Sequence, residues 1–258
     1  MRIQLLPSTF DERGCATAEQ RLSCYLIDSC IAIDAGSLAL SLTSAERCAV
    51  RDIIITHPHL DHIATLPIFI DDLFTVLDCP VRVHATEEVI RLLERDVFNW
   101  TIYPRFSELS NSKTRVMEYV PFRPGEEFNV AHLKVSAIPV NHIVPTVGLI
   151  FTDGTSTVAF SSDTASTDDF WRAVNERPRV DALLVESSFP NSMAHLAEIS
   201  GHLTPASLEQ ELRKLSHQSI DILVMHLKPA YRARVVEELA ALGISNLCIM
   251  EPGRAYMW

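Results

Sequence analysis

Short apolar runs, rich in β-branched residues, punctuate this chain and alternate with longer stretches of helical spacing. "RIQLL" (2–6) reads as a strand, and "SCYLID" with "CIAIDAG" reads as a hairpin of two buried strands. "RDIIIT" (51–56) is a third buried strand. "ATLPIFIDDLFTVL" has the period of a helix, with Pro67 limiting where a regular turn can begin. "CPVRVHA" predicts another strand, and "TEEVIRLLERDVF" a helix with Thr86 as N-cap and acids in its first turn. Residues 99–130 are polar and aromatic without a clear period. A second series follows. "LKVSAIPV", "VGLIFTD" and "STVAFSSD" predict strands, the last two joined by an Asp153-Gly154 turn. "TDDFWRAVNE" predicts a helix, "VDALLVESSF" a buried strand, and "TPASLEQELRKL" a helix with Thr204 as N-cap and Pro205 at its first position. "DILVMH" is a strand, "ARVVEELAALG" a helix closed by Gly243, and "NLCIME" the final strand.

Two strand-rich halves, each followed by helices, predict an α/β fold. No Gly/Ser/Pro-rich linker separates them, so the expected organisation is one domain over residues 1–258, an αββα two-sheet sandwich.

Composition narrows the partners. A hydrophobic content of 47% supports a packed core, and a net charge of −11 disfavours a stable nucleic-acid partner, which needs a basic face. Six cysteines, at 15, 24, 30, 48, 79 and 248, form no C-x-x-C pair and read as reduced, mostly buried thiols of a cytoplasmic protein. The opening "MRIQLLPSTFDERG" lacks the apolar core of a signal peptide, and no run approaches the roughly 20 residues that cross a bilayer.

Chemistry concentrates in "RDIIITHPHLDHI" (51–63). His57, His59, Asp61 and His62 fall within six residues, directly after a buried strand. Imidazole nitrogen and carboxylate oxygen suit Zn²⁺, and also Mn²⁺ or Fe²⁺. In an extended loop alternate side chains point the same way, so His57 and His59 would face one ion while Asp61 and His62 turn to a second. Further candidates end later strands: His142 after "LKVSAIPV", Asp163 after "STVAF" and His226 after "DILVM". Glu186 ends a buried strand, where an unpartnered carboxylate is costly. A hydrogen bond to His202 would satisfy it and ready that imidazolium to protonate a departing alkoxide. Lys228, two residues past His226, would set an ammonium against a phosphate.

With "THPHLDH", "NH" at 141–142, "SDT" at 162–164, "MH" at 225–226 and "IDAG" at 33–36, the chain resembles the metallo-β-lactamase superfamily. That resemblance implies one site of His57, His59 and His142, a second of Asp61, His62 and His226, and Asp163 bridging both. It also implies that the aspartate of "IDAG" braces the metal loop. "HLDHI", "VESSFPN", "SGHLTP" and "MHLKP" narrow the likeness to class II 3′,5′-cyclic-nucleotide phosphodiesterases, as does "VFNWTIYPRF" (97–106). The implied reaction is attack of a hydroxide bridging two metal ions on the cyclic phosphorus of cyclic AMP or cyclic GMP. The P–O3′ bond breaks, His202 protonates the 3′ oxygen and a 5′-monophosphate leaves. Asp61 would also orient the hydroxide. Phe98, Trp100, Tyr103 and Phe106 are candidates to stack on the base, with core packing the stronger expectation for each. Thr65 departs from the family pattern, which has glycine or serine there, and its methyl would narrow the pocket floor.

The expected partner is a small cyclic nucleotide, with no membrane and room for a homodimer. Rival readings on the same scaffold are an RNA 3′-processing endonuclease, a lactonase or another phosphodiesterase. Outside it stand a di-iron redox enzyme and a non-catalytic metal-binding module. The remaining histidines, 84, 132, 195 and 217, read as structural or surface groups, with His195 the one nearest in sequence to the candidate acid.

Overall fold

The computed structural model describes residues 1–258, which divide into two compact units, 1–123 with 252–257 and 124–251 with residue 258. Each unit carries one seven-stranded mixed sheet.

In the first unit the elements run β1 (Arg2–Leu5), β2 (Tyr25–Ile27), β3 (Ile31–Ile33), α1 (Leu38–Ser41), α2 (Ser44–Ala49), β4 (Asp52–Ile54), α3 (Leu60–Ile63), α4 (Leu66–Leu73), β5 (Val81–Thr86), α5 (Glu87–Asp96) and β6 (Met117–Phe122). The second unit holds β7 (Glu127–Val130), β8 (Leu133–Pro139), β9 (Val147–Thr152), β10 (Thr157–Phe160), α6 (Asp169–Asn175), β11 (Ala182–Glu186), α7 (Ala194–Ser200), α8 (Pro205–Leu212), β12 (Asp221–Met225), α9 (Arg232–Ala241) and β13 (Leu247–Ile249). The chain then returns to the first unit as β14 (Ala255–Met257), which pairs antiparallel with β1.

The first sheet has the order β14-β1-β2-β3-β4-β5-β6, antiparallel up to β3 and parallel from there. The second has the order β13-β12-β11-β10-β9-β8-β7, parallel from β13 to β10 and antiparallel beyond. The parallel strands β3, β4, β10, β11 and β12 are buried nearly throughout and read as continuous apolar runs, as strands covered on both faces do. Helices pack the remaining apolar surface. Leu66, Phe69 and Ile70 of α4 and Val89 and Leu93 of α5 join one core with Ile53, Val81 and Val83. Phe170, Trp171, Leu208, Val235 and Leu239 join a second core with Leu183, Val185, Ile222 and Val224.

Several expectations need correction. "NLCIME" is followed by one more strand, β14. The β9–β10 connection is a four-residue loop over 153–156, because Thr152 pairs with Thr157 and the Asp153 carboxylate caps the loop by accepting from the N–H groups of Thr155 and Ser156. The thiols are free, yet Cys24 is the buried one and Cys15, Cys48 and Cys248 are exposed. His84 lies inside the first sheet, its Nε2 2.8 Å from Asp52, which also takes Arg82 Nε at 2.6 Å. Phe98 and Phe106 are core residues, whereas Trp100 is exposed on a loop held by Asn99, whose side-chain oxygen accepts from the N–H groups of Thr101 and Ile102. No helix is long and apolar enough to cross a membrane.

Candidate metal and catalytic centre

In the first unit the histidine-rich loop leaves the carboxyl end of β4, the usual place for a site in a parallel sheet. His57 is fully buried, and its ring lies 4.8 Å from that of His59 and 4.0 Å from that of His62, centroid to centroid. The loop is extended only as far as His59. From Leu60 the chain turns into α3, so Asp61 and His62 sit on a helical turn rather than on alternate positions of an extended strand. An aspartate in the first turn favours that start.

Asp34, directly after β3, holds this loop. It is fully buried and sits at φ 59°, a conformation few side chains adopt. Its carboxylate accepts from the Thr56 N–H at 2.9 Å and from the Thr56 hydroxyl, and it lies 2.7 Å from His62 Nδ1. Burial raises its pKa, and the His62 and Thr56 contacts pull part of the way back. The Thr56 hydroxyl also lies 3.0 Å from His57 Nδ1. Gly36 lets the backbone come close enough: a Cβ there would lie 2.0 Å from the Asp61 carbonyl oxygen. The Ala35 N–H reaches the His62 carbonyl at 2.7 Å and the Ser23 N–H the Asp61 carbonyl at 2.8 Å.

In the second unit four strand ends supply the polar groups. His142 follows β8, and its Nδ1–H donates to the Gly201 carbonyl at 2.8 Å, which leaves Nε2 with a lone pair. Burial lowers the pKa of His142 and outweighs the opposing pull of that carbonyl and of Asp163, so the ring favours the neutral form a metal needs. Asp163 follows β10 and lies 3.3 Å from His226 Nε2 beyond β12. Ser162 and His226 both have positive φ, 55° and 59°, so backbone strain is stored beside both groups. Donor atoms of Asp163, His202 and His226 all lie within 4.8 Å of one another.

Glu186, the last residue of β11, is fully buried and well provided with donors. His202 Nδ1 lies 2.7 Å from one of its oxygens, which also accepts from the Thr164 N–H at 2.9 Å. The other oxygen accepts from the Ser188 hydroxyl at 2.8 Å and the Leu203 N–H at 3.2 Å. Burial pushes the His202 pKa down, but the negative charges of Glu186 and Asp163 and the Glu186 hydrogen bond outweigh it and leave it raised. Lys228 opposes that rise. It is half-buried, and its N–H reaches the Ser188 carbonyl at 3.3 Å.

Within each unit the donor chemistry fits a divalent ion. His62 and His142 have Nδ1 beside an acceptor, the Asp34 carboxylate and the Gly201 carbonyl, and His57 and His226 have Nδ1 beside a hydroxyl, an arrangement that leaves Nε2 as the atom each could offer to an ion. Thr56, Thr164 and Ser188 stand inside "THPHLDH", "SDT" and "VESSFPN", yet nothing in those motifs signals that their hydroxyl or N–H groups bond the buried carboxylates. Thr65 is buried. Its hydroxyl donates to the Ala35 carbonyl at 2.9 Å and accepts from the Ala39 N–H at 3.0 Å, so the side chain serves the backbone.

Comparison with known proteins agrees with this chemistry. The profile of the family described as "Beta-lactamase superfamily domain" matches residues 25–226. A "Probable 3′,5′-cyclic-nucleotide phosphodiesterase" of Yersinia pestis is 26% identical over 210 residues, 72% of this chain and 59% of that protein. "3′,5′-cyclic-nucleotide phosphodiesterase 1" of Saccharomyces cerevisiae is 26% identical over 231 residues, 75% of this chain and 62% of the yeast protein. The chain thus spans about three fifths of the length of these curated relatives. Among solved structures, unliganded yeast PDE1 superposes with a TM-score of 0.78 at 18% identity, covering 100% of this chain and 99% of that one. The metallo-β-lactamase fold protein YhfI from Bacillus subtilis gives 0.77 at 16%, covering 99% of each. These likenesses show the fold, the α/β two-sheet metallo-β-lactamase type expected from the sequence.

Proposed function

The chain belongs to the β-lactamase superfamily, and from that premise we propose that it is a metal-dependent phosphodiesterase that hydrolyses 3′,5′-cyclic nucleotides to nucleoside 5′-monophosphates. In this reading residues 1–258 act as one catalytic domain on a small-molecule substrate, cyclic AMP or cyclic GMP. His57, His59 and His142 hold one divalent ion and Asp61, His62 and His226 a second, with Asp163 a ligand of both. Nitrogen and carboxylate donors favour Zn²⁺, with Mn²⁺ and Fe²⁺ as alternatives. When bound, such ions supply an acidified water at neutral pH and offset charge on the phosphate.

The chain's own groups do the rest. Asp61 accepts a hydrogen bond from the attacking water and aligns it with phosphorus. Lys228 sets its ammonium against a non-bridging phosphate oxygen. His202, protonated under the pull of Glu186, gives its Nε2 proton to the departing 3′ oxygen, an alkoxide too basic to leave unaided. The single observation that carries the proposal is the buried Glu186–His202 pair at 2.7 Å, because a reaction with a good leaving group has no use for it.

The test is turnover of cyclic AMP and cyclic GMP beside bis(p-nitrophenyl) phosphate, a lactone and a pre-tRNA, with the nucleotide product identified. Release of 5′-monophosphate as the fastest reaction is the expected result. Faster cleavage of the lactone or the pre-tRNA, or release of the 3′-monophosphate, overturns it.

A further inference from the structure

We propose that Glu211 is a positioning residue: from α8 its buried carboxylate holds the segment that carries Asp163, and so sets where the Asp163 carboxylate and the Thr164 N–H stand. The consequence for metal binding rests on the reading of Asp163 as a ligand.

Residues 161–168 join β10 to α6 without regular structure of their own. Three tethers fix this segment instead. The Thr164 N–H donates to Glu186 at 2.9 Å. The Ala165 N–H donates to the Asn141 carbonyl at 2.7 Å, and the Asn141 side-chain amide returns a bond to the Ser166 carbonyl at 3.1 Å. The third tether is Glu211. One of its oxygens accepts from the Ser166 hydroxyl at 2.6 Å and lies 2.8 Å from Lys214 Nζ. The other accepts from the Thr167 N–H at 3.1 Å and from the Trp171 indole N–H at 2.6 Å. Lys214 adds to the hold, reaching the Thr167 carbonyl at 3.2 Å and the Asp168 carboxylate at 2.7 Å.

Packing alone does not call for a carboxylate at this position. Glu211 is 3% exposed, so its charge has given up its hydration. It also stands in the last turn of α8, where the helix dipole opposes a negative side chain. An apolar residue of similar volume would avoid both costs, but it could accept nothing from Ser166 or Thr167. Those contacts matter because of what precedes them. Ser162 sits at φ 55°, a conformation that persists only where its surroundings hold it. The Ser161 N–H, bonded to the Leu184 carbonyl at 2.9 Å, fixes the chain before Asp163. Glu186, Asn141 and Glu211 fix it afterwards, and Glu211 is the tether at the α6 end.

The experiment is amide hydrogen exchange on the full-length protein, read by mass spectrometry over residues 161–168, beside Zn²⁺ affinity by chelator competition. Glu211→Gln offers one accepting oxygen where the carboxylate offers two, so part of the hold is lost. Exchange in the segment should become about 10-fold faster, the effect of a lost hydrogen bond, while β10 and β11 keep wild-type rates. Zn²⁺ affinity should fall about 10–100-fold. Ser166→Ala, an exposed site that leaves the core intact, should shift both readouts the same way and by less. Trp171→Phe removes only the indole donor, and should lower the urea midpoint with segment exchange and affinity unchanged. Wild-type exchange and affinity in Glu211→Gln overturn the proposal, or in Ser166→Ala should Glu211→Gln not fold. So does a Trp171→Phe protein that reproduces both losses, because the carboxylate would then serve α6 and not the segment. If Asp163→Ala binds Zn²⁺ as the wild type does, the ligand reading fails, and the exchange rates still decide the hold of Glu211.

Discussion

The two halves of the chain solve one problem twice. In the first, the buried carboxylate of Asp34 lies 2.7 Å from His62 Nδ1 and accepts from the Thr56 hydroxyl, which lies 3.0 Å from His57 Nδ1. In the second, the buried carboxylate of Glu186 lies 2.7 Å from His202 Nδ1 and accepts from the Ser188 hydroxyl, which lies 2.9 Å from His226 Nδ1. Each carboxylate thus governs one imidazole directly and a second through a hydroxyl. The halves differ in what the carboxylate must gather. Asp34 steadies a loop whose polar groups are already neighbours in sequence, whereas Glu186 joins the ends of β10, β11 and β12 and the turn before α8. The imidazoles differ in role as well. Both rings beside Asp34 are proposed ligands, while those beside Glu186 are one proposed ligand, His226, and one proposed proton donor, His202. Orienting an imidazole through a buried carboxylate is therefore a device used in both halves, and the proposed acid role of His202 is what would set the second apart.

The sharpest break between the halves is His202→Ala. Removing the donor should lower kcat on a cyclic nucleotide by about 10²–10⁴-fold while metal content stays at the wild-type level. The loss should shrink with a p-nitrophenyl ester, whose leaving group needs no proton. Metal analysis beside rates on the two leaving groups checks this, and equal losses on both would count against the acid role.

Asp34→Asn should act differently and less. The amide cannot accept from both His62 and Thr56, so a buried hydrogen bond is lost, at a cost of about 1–3 kcal/mol in stability. His62 also loses the acceptor that holds its Nδ1–H, and affinity for one ion should fall about 10–100-fold. His57 is held by the same carboxylate only through the Thr56 hydroxyl, so affinity for the other ion should fall as well, but less. Denaturant unfolding and metal titration read the two effects, and a variant that binds both ions as tightly as the wild type would show that the Asp34 carboxylate does not steady the metal-binding loop.

The contrast also explains how much could be read in advance. Apolar runs followed within three residues by a titratable side chain marked β8, β10, β11 and β12 with His142, Asp163, Glu186 and His226, since a buried strand leaves its polar neighbours at the rim. The first-half cluster was legible because its residues are contiguous. Elements held by distant pairing were not. β14 is three apolar residues that stay largely exposed, too short to show a period, and it is fixed by its ladder to β1 and by a Gln4 side-chain bond to the Gly253 carbonyl. β6 contains Pro121, tolerable because it is an edge strand of its sheet. Thr56 and Ser188 carry no periodic signal, and their roles exist only once a carboxylate and an imidazole meet at one hydroxyl.

Thr65 gives the smallest effect and tests whether the first half does more than hold metal. Serine in its place removes one buried methyl and keeps an oxygen able to bond both the Ala35 carbonyl and the Ala39 N–H. The expected stability loss is about 0.8 kcal/mol, the value of one buried methylene-sized group. KM for the cyclic nucleotide should not move, since the side chain is committed to joining the segment after Asp34 to the start of α4. A several-fold fall in KM would instead return the methyl to the substrate pocket, and the first half would then shape the substrate as well as the metal.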